Sequence, residues 1–287
     1  MMAKVRSAVL VVNPSRSEAV EASTVLANLL KSAGFNLYTT SEVTISGVTN
    51  TPVESLPEVE IAVVLGGDGT ILRGAELTRT RNIPLLGINI GHVGFMAEVI
   101  RPEISAVAKS VIEKSYALDS RMVLAYEVIR AGKVIDAGWA LNEVTVERQH
   151  TTMVELFVQI DGRPLSRWGC DGLIASTPTG STAYAFSAGG PVLWPEVEAL
   201  VLLPISAHAL FARPMVISPK SEIVVEVQSD EALLSADALR KFPLESGDQV
   251  RILRDASKIL LSHMIATTFT DRIVAKFKLP VEGWRGE

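Results

Sequence analysis

The chain has 287 residues, of which 48% are hydrophobic, enough apolar material for one large domain or two medium ones. Its net charge of −5 argues against nucleic acid as the main partner, because no basic stripe or arginine cluster interrupts it. No apolar run reaches membrane-spanning length and residues 1–13 lack the apolar core of a secretory signal, so no membrane partner and a cytoplasmic location are expected.

Short apolar strands alternate with helical patterns over residues 8–115. Ala8 to Val12 reads as a strand. A helix follows with Val20, Leu26, Leu29, Leu30 and Ala33 on its apolar face, closed by Gly34. Ile61 to Leu65 is a continuous apolar run of the kind a buried parallel strand shows, and it stops abruptly in Gly66-Gly67-Asp68-Gly69-Thr70. Ile71, Leu72, Ala75 and Leu77 resume a helical pattern, so the glycine-rich turn lies between a strand end and a helix start. Unpaired N–H groups and the helix dipole favour anions there. Arg73, expected in the first turn of that helix, adds a full positive charge to the same pocket. Asp68 repels phosphates at such a place; either it caps the helix or it deprotonates a hydroxyl that attacks phosphorus. Pro84 to Ile90 gives a further strand, and Pro102 begins a helix with Ile104, Val107, Val111 and Ile112 on one face.

From about Tyr116 the chain becomes strand-like. Val123 to Ile129, Val134 to Leu141, Val144 to Val146, Val154 to Ile160, Ile223 to Val227, Val250 to Leu253 and Ile259 to Ser262 are short and β-branched. Turn residues such as Ala131-Gly132-Lys133 and Asp161-Gly162 separate them. The expected architecture is an N-terminal α/β Rossmann-like domain, residues 1–115, followed by an all-β sandwich-like domain, residues 116–269. Phe269, Ile273 and Phe277 recur every four residues, a stripe through which the tail 270–287 is expected to pack back on the first domain.

The run Gly169 to Pro191 holds seven hydroxyls and five glycines around one charged side chain, Asp171. Glycines let backbone N–H groups approach a ligand and hydroxyls both donate and accept, so a ligand rich in hydroxyl and phosphate oxygens suits it. Thr179 to Ser187 is expected to form a short helix presenting Thr182, Tyr184 and Ser187. The single cysteine, Cys170, excludes an internal disulfide and reads as a small buried residue. His92, His150, His208 and His263 lack zinc-ligand spacing, so no metal site built from the chain is expected.

Four separated segments carry a family resemblance: Gly66 to Thr70, Asn89 to Phe95, Asn142-Glu143, and Gly169 to Pro191. In order and spacing the chain resembles the NAD kinases, which pass a phosphoryl group from ATP or inorganic polyphosphate to the adenosine-ribose 2′-hydroxyl of NAD. Val11-Val12-Asn13-Pro14-Ser15 and the Gly-Gly-Asp-Gly turn also suit a diacylglycerol or sphingosine kinase. Those enzymes show a Gly-Thr-Gly-Asn-Asp-like segment where this chain has Gly91 to Phe95. A non-catalytic NAD(P) or polyphosphate sensor is a further alternative, against which Asp68 weighs.

The resemblance implies that Asp68 is the general base and that Gly69 lies beside it against the dinucleotide. It implies NAD-binding roles for Phe95, Asn142, Glu143, Asp171, Thr182, Ala183, Tyr184 and Ser187, and Arg73 joins them. The site is then expected between the two domains, with Mg²⁺ brought by ATP and a homodimer or homotetramer as the working form. Two positions depart from the family pattern. Ala238 follows Asp237 where relatives have glycine, suggesting a turn without positive φ or an altered site edge. Ser206 stands where relatives place a residue reached by a neighbouring subunit's ligand.

Overall fold

The computed structural model describes residues 5–90, 96, 103–264 and 268–281. They form two compact units, Met1–Ser120 with Ile259–Glu287, and Arg121–Lys258.

The first unit contains β1 (Ser7–Val12), α1 (Ser17–Ser32), β2 (Asn36–Thr39), β3 (Thr49–Asn50), β4 (Ile61–Leu65), α2 (Asp68–Arg79), β5 (Leu85–Ile88) and α3 (Ile104–Glu113). Its strands pair in parallel in the order β3-β2-β1-β4-β5. Every residue of β4 and β5 is buried, which explains their unbroken apolar text. Leu10, Val63, Leu65, Leu86 and Ile88 share one core with Leu26 and Leu30 of α1 and with Val107 and Val111 of α3. On the opposite face α2 comes so close that a Cβ on Gly74 would lie 2.6 Å from Val64 Cγ2. Helix α3 begins at Ile104; Pro102 lies outside the described residues.

Strand order reverses between neighbouring β1 and β4. From β1 the chain passes through α1 to β2 on one side, and from β4 through α2 to β5 on the other. The loops leaving the C-terminal ends of β1 and β4 therefore diverge and open a crevice, the place where open α/β sheets bind ligands.

The second unit is built from β6 (Ala117–Arg130), β7 (Lys133–Ala140), β8 (Glu143–Glu147), β9 (Val154–Ile160), β10 (Arg163–Cys170), β11 (Gly172–Ser176), α4 (Tyr184–Ser187), β12 (Leu200–Ile205), β13 (Met215–Ile217), β14 (Ile223–Val227), β15 (Glu231–Ala236), β16 (Arg240–Glu245) and β17 (Gln249–His263). One antiparallel sheet runs β13-β12-β11-β8-β15-β16; the other places β10-β9-β14-β17 in order, with β6 between β17 and β7. Val146, Leu173, Leu202 and Leu234 of the first sheet meet Val158, Trp168, Val225 and Ile252 of the second in one core. The fold class is therefore α/β followed by a β-sandwich-like unit, as the sequence pattern implies.

Strands β2, β3, β10 to β13, β15 and β16 have no counterpart in the sequence reading, and two further elements differ from it. Val250–Leu253 and Ile259–Ser262 belong to one strand, β17, because the polar stretch between them stays in extended pairing with its side chains unburied. Leu261 and Ser262 at its end pair in parallel with Leu85 and Leu86 of β5, returning the chain to the first unit. A capping box of Thr268 and Asp271 then starts α5 (Phe269–Phe277). Phe269, Ile273 and Phe277 are half-buried, while Arg272 is buried and its Nη2 lies 2.9 Å from His263 Nδ1.

The second difference concerns Ala238. Hairpins β6–β7 and β9–β10 turn on Ala131-Gly132 and Asp161-Gly162, each pair at positive φ, as a tight hairpin twist requires. The β15–β16 hairpin makes the same demand: Asp237 has φ 53° and Ala238 φ 56°. A turn without positive φ is thus ruled out, and alanine sits in a left-handed conformation that glycine would take freely. Ala238→Gly is expected to raise Tm by about 2–4 °C, relieving about 1 kcal/mol of strain. Differential scanning calorimetry checks this, and an unchanged or lower Tm contradicts it.

Candidate active site

In the first unit the crevice floor is the turn after β4. Gly66 N donates to Ile88 O at 3.0 Å and Asn13 N to Leu65 O at 3.1 Å, tying the three strand ends together. A Cβ on Gly66 would lie 2.3 Å from Thr70 Oγ1, so only glycine fits. Gly67 is the N-cap of α2 and Asp68 its first helical residue, with no side-chain cap. The capping reading of Asp68 therefore falls. Its half-buried carboxylate accepts from Met96 N at 3.4 Å, while Gly69 beside it is exposed. Asn89, at the end of β5, is buried, and its Oδ1 has no hydrogen-bond partner among the described residues.

Arg73 corrects a sequence expectation. Because α2 opens at Asp68, Arg73 is its sixth residue and belongs to the second turn, where it is exposed. Arg16, unassigned in the sequence reading, stands at the crevice instead. Its Nη1 donates to Ile90 O at 3.4 Å, and its Nη2 lies 3.9 Å from the position of a Cβ on Gly67. The signal was available: a cation shortly after the first strand, which neighbours the strand bearing the Gly-Gly-Asp-Gly turn. Phe95 lies outside the described residues.

In the second unit Asn142 and Glu143 occupy the corner between β7 and β8. The buried carboxylate of Asp237 accepts from the N–H groups of Leu141, Asn142 and Glu143 at 2.7, 2.7 and 3.4 Å. From the other side Thr177 N and Ser176 Oγ donate to Asn142 O at 2.8 and 3.1 Å, and Thr177 Oγ1 donates to Leu141 O at 2.6 Å. Gly180 lies so close that a Cβ there would be 2.2 Å from Asn142 O. This clamp buries both side chains, only 7% and 8% exposed, contrary to a plain surface turn. Asn142 Oδ1 and Glu143 Oε2 are left without hydrogen-bond partners among the described residues. Native structures seldom leave buried acceptors so unless something else occupies them.

A cavity of about 340 Å³ adjoins the corner, with Glu143, Thr145, Tyr184, Asp237, Ala238 and Lys241 among its walls. Of the expected binding residues it brings together Glu143 and Tyr184. Asn142, Asp171, Thr182, Ala183 and Ser187 are not part of its lining. Tyr184 OH donates to Glu147 Oε2 at 3.1 Å, and Asp171 Oδ1 pairs with Arg148 Nε at 2.8 Å.

The hydroxyl-rich run serves two purposes. Ser176, Thr177, Thr179 and Ser181 are buried; Thr179 Oγ1 accepts from Arg121 Nη1 at 3.4 Å, and the other three satisfy backbone groups, Ser181 Oγ accepting from Leu193 N and donating to Pro178 O. Thr182, Tyr184 and Ser187 stay accessible. The expected single helix is two short turns, Gly180–Thr182 and Tyr184–Ser187, broken at Ala183, whose φ −101° and ψ −124° are not helical. Asp237, which holds this corner, was not among the expected site residues, since its partners lie about a third of the chain away.

Burial sets the protonation states. It pushes the Glu143 carboxyl up to about 8, reinforced by the nearby charge of Asp237. Asp237 rises to about 6 for the same first reason, although its three backbone donors favour the anion. Burial also pushes the Cys170 thiol up to about 12, making it inert. Among the described residues no three His, Cys, Asp or Glu side chains are grouped to hold a metal ion, and no helix is long and apolar enough to cross a membrane.

Two family models cover most of the chain: the ATP-NAD kinase N-terminal domain over residues 8–116 and the ATP-NAD kinase C-terminal domain over residues 141–264. NAD kinase 2 of Streptomyces coelicolor is 42% identical over 99% of this chain and 98% of its own length. NAD kinase 2 of Streptomyces avermitilis is 49% identical over 81% of this chain and 78% of its own length. A crystal structure of yeast NADH kinase complexed with NADH matches the fold with a TM-score of 0.87 at 24% identity, covering 100% of this chain and 91% of that one. The structure of an NAD kinase from Archaeoglobus fulgidus in complex with ATP matches with a TM-score of 0.71 at 28% identity, covering 89% and 92%. These relatives define the class of the chain, a phosphotransferase enzyme. The chain belongs to the NAD kinase family. None of these matches favours the lipid-kinase or the sensor reading.

The raised pKa of Glu143 has a stability consequence. Its folded value lies above the ordinary 4.5, so the neutral form favours folding; that contribution is intact below about pH 4.5 and lost as pH rises through about 8. Glu143→Gln stays neutral throughout. The Tm of the variant minus that of the wild type should grow by a few degrees between pH 5 and pH 9. Thermal unfolding followed by circular dichroism reads it, and a difference independent of pH refutes the assignment.

Proposed function

We propose that the chain transfers the terminal phosphoryl group of ATP to the adenosine-ribose 2′-hydroxyl of NAD, giving NADP, with Asp68 as general base. The observation that carries this reading is Asp68 itself: a half-buried carboxylate at the first helical residue of α2, at the reversal of the sheet, with Gly67 and not Asp68 in the cap position. A pure phosphate binder gains nothing from negative charge there, whereas a base that takes the proton of an attacking hydroxyl needs it. Inorganic polyphosphate is the other donor the chemistry admits. Mg²⁺ enters as part of the nucleotide substrate and offsets the repulsion between Asp68 and the phosphates.

The second unit supplies the grip on the acceptor. Glu143 Oε2 is suited to accept from a ribose diol and Asn142 Oδ1 from the amino edge of a base; Tyr184, Asp171, Thr182, Ala183 and Ser187 on the neighbouring turns complete the dinucleotide set proposed for this unit. A diol donating to Glu143 favours its ionised form, so dinucleotide binding releases a proton near neutral pH. A homodimer or homotetramer is the proposed working form, supported by exposed Leu210, Phe211 and Val216. A cytoplasmic location is part of the same proposal.

Purified protein incubated with NAD, Mg²⁺ and either ATP or polyphosphate, then coupled to an NADP-specific dehydrogenase, tests the reading. Wild type should form NADP, and Asp68→Asn should turn over about 10²–10⁴-fold more slowly while binding NAD within about twofold, as loss of a general base implies. Near-normal turnover of the variant removes Asp68 from the chemistry.

A further inference from the structure

We propose that Arg16 is a donor-phosphate residue whose guanidinium holds the terminal phosphoryl group while it passes to the acceptor hydroxyl. This rests on the kinase reading above and adds a residue to the same centre. Arg16 immediately precedes α1, in the loop that leaves β1, and β1 is the neighbour of β4 at the reversal of the sheet. Its Nη2 lies 3.9 Å from where a Cβ on Gly67 would be, so the fork stands over the turn that delivers Asp68.

Arg16 differs from the arginines whose charge is already spent on a carboxylate. Arg6, Arg130, Arg148, Arg251 and Arg254 each reach a carboxylate within 3.0 Å. Arg16 is half-buried, and among the described residues its guanidinium forms no ion pair and one long hydrogen bond, 3.4 Å to Ile90 O. A guanidinium left without an anion beside an anion-binding turn has its remaining donors available for phosphate oxygens, which its planar fork matches in pairs.

The chemistry places such a cation well. The acceptor 2′-hydroxyl gives its proton to the Asp68 carboxylate as its oxygen forms a bond to the terminal phosphorus. The bond from that phosphorus to the bridging oxygen breaks, and its electron pair leaves with the nucleoside diphosphate. Negative charge spreads over the three equatorial oxygens during transfer, close to the base. A cation over Gly67 meets that charge and also offsets the repulsion that Asp68 imposes on the donor.

Steady-state kinetics of Arg16→Ala and Arg16→Lys, with ATP and NAD varied separately, test the assignment alongside calorimetric titration of MgATP. For Arg16→Ala, kcat/KM for ATP should fall about 10²-fold or more, a cautious share of what an arginine at a transferring phosphoryl group supplies. The NAD dissociation constant should stay within about twofold, and Arg16→Lys should recover part of the loss as a point charge without the fork. A kcat/KM for ATP within twofold of wild type in Arg16→Ala overturns the proposal, as does an NAD dissociation constant raised as much as that of MgATP. Should Arg16→Ala fail to fold, Arg16→Lys and Arg16→Gln carry the same comparison. Absence of NADP formation by the wild type defeats the kinase reading alone; MgATP binding that is weakened in Arg16→Ala then still supports the phosphate role, and unchanged binding overturns it.

Discussion

One buried carboxylate organises the second unit's candidate site. Asp237 takes the three N–H groups of Leu141, Asn142 and Glu143, and in doing so turns the chain sharply between β7 and β8. Without it those donors would be buried and unpaired, at about 1–3 kcal/mol each. The clamp also explains the backbone of its own hairpin. Asp237 reaches the corner from a left-handed conformation, and Ala238 follows it into the same region of φ. Strain in that hairpin is thus tied to presentation of Asn142 and Glu143, consistent with strain gathering where function overrides local preference.

The two units solve different problems by different means. The first places a carboxylate and a cation at the reversal of a parallel sheet, where diverging loops make a crevice without any special side chain. The second makes buried acceptors by clamping a corner from both sides, with Asp237 on one and Ser176, Thr177 and Gly180 on the other. Both depend on close backbone approach. The Gly66 turn is tight enough to exclude a side chain, and Gly180 is tight enough to lie against a carbonyl. Phosphoryl transfer rests mainly on position and charge, which suits rigid centres of this kind.

Much of the fold was legible because the patterns are local. Ile61 to Leu65 and the glycines after it announce a buried parallel strand and a turn, and β4 occupies those same five residues. Asp161-Gly162 and Ala131-Gly132 announce their hairpins equally well. What escaped the sequence depends on distant partners. The hydroxyls of Ser176, Thr177 and Ser181 look identical in text to that of Ser187, yet they turn inward to satisfy backbone. Asp237 shows no sign of its role, since the N–H groups it accepts lie on another hairpin. Arg73 was placed in the wrong turn because the start of α2 rests on Gly67 being the cap. The passage of the chain from one unit to the other falls inside β17, whose polar stretch 254–258 reads in text as a loop between two strands.

The most direct test of the clamp is the NAD affinity of Asp237→Asn by isothermal titration calorimetry. The amide offers one acceptor where the carboxylate offered two, and its NH₂ group faces backbone donors. Binding should weaken about 10–100-fold, the loss expected from charge-assisted hydrogen bonds, while unfolding remains a single transition. An affinity within twofold of wild type would mean that Asn142 and Glu143 hold their positions without Asp237, and that this carboxylate does not organise the second unit's site.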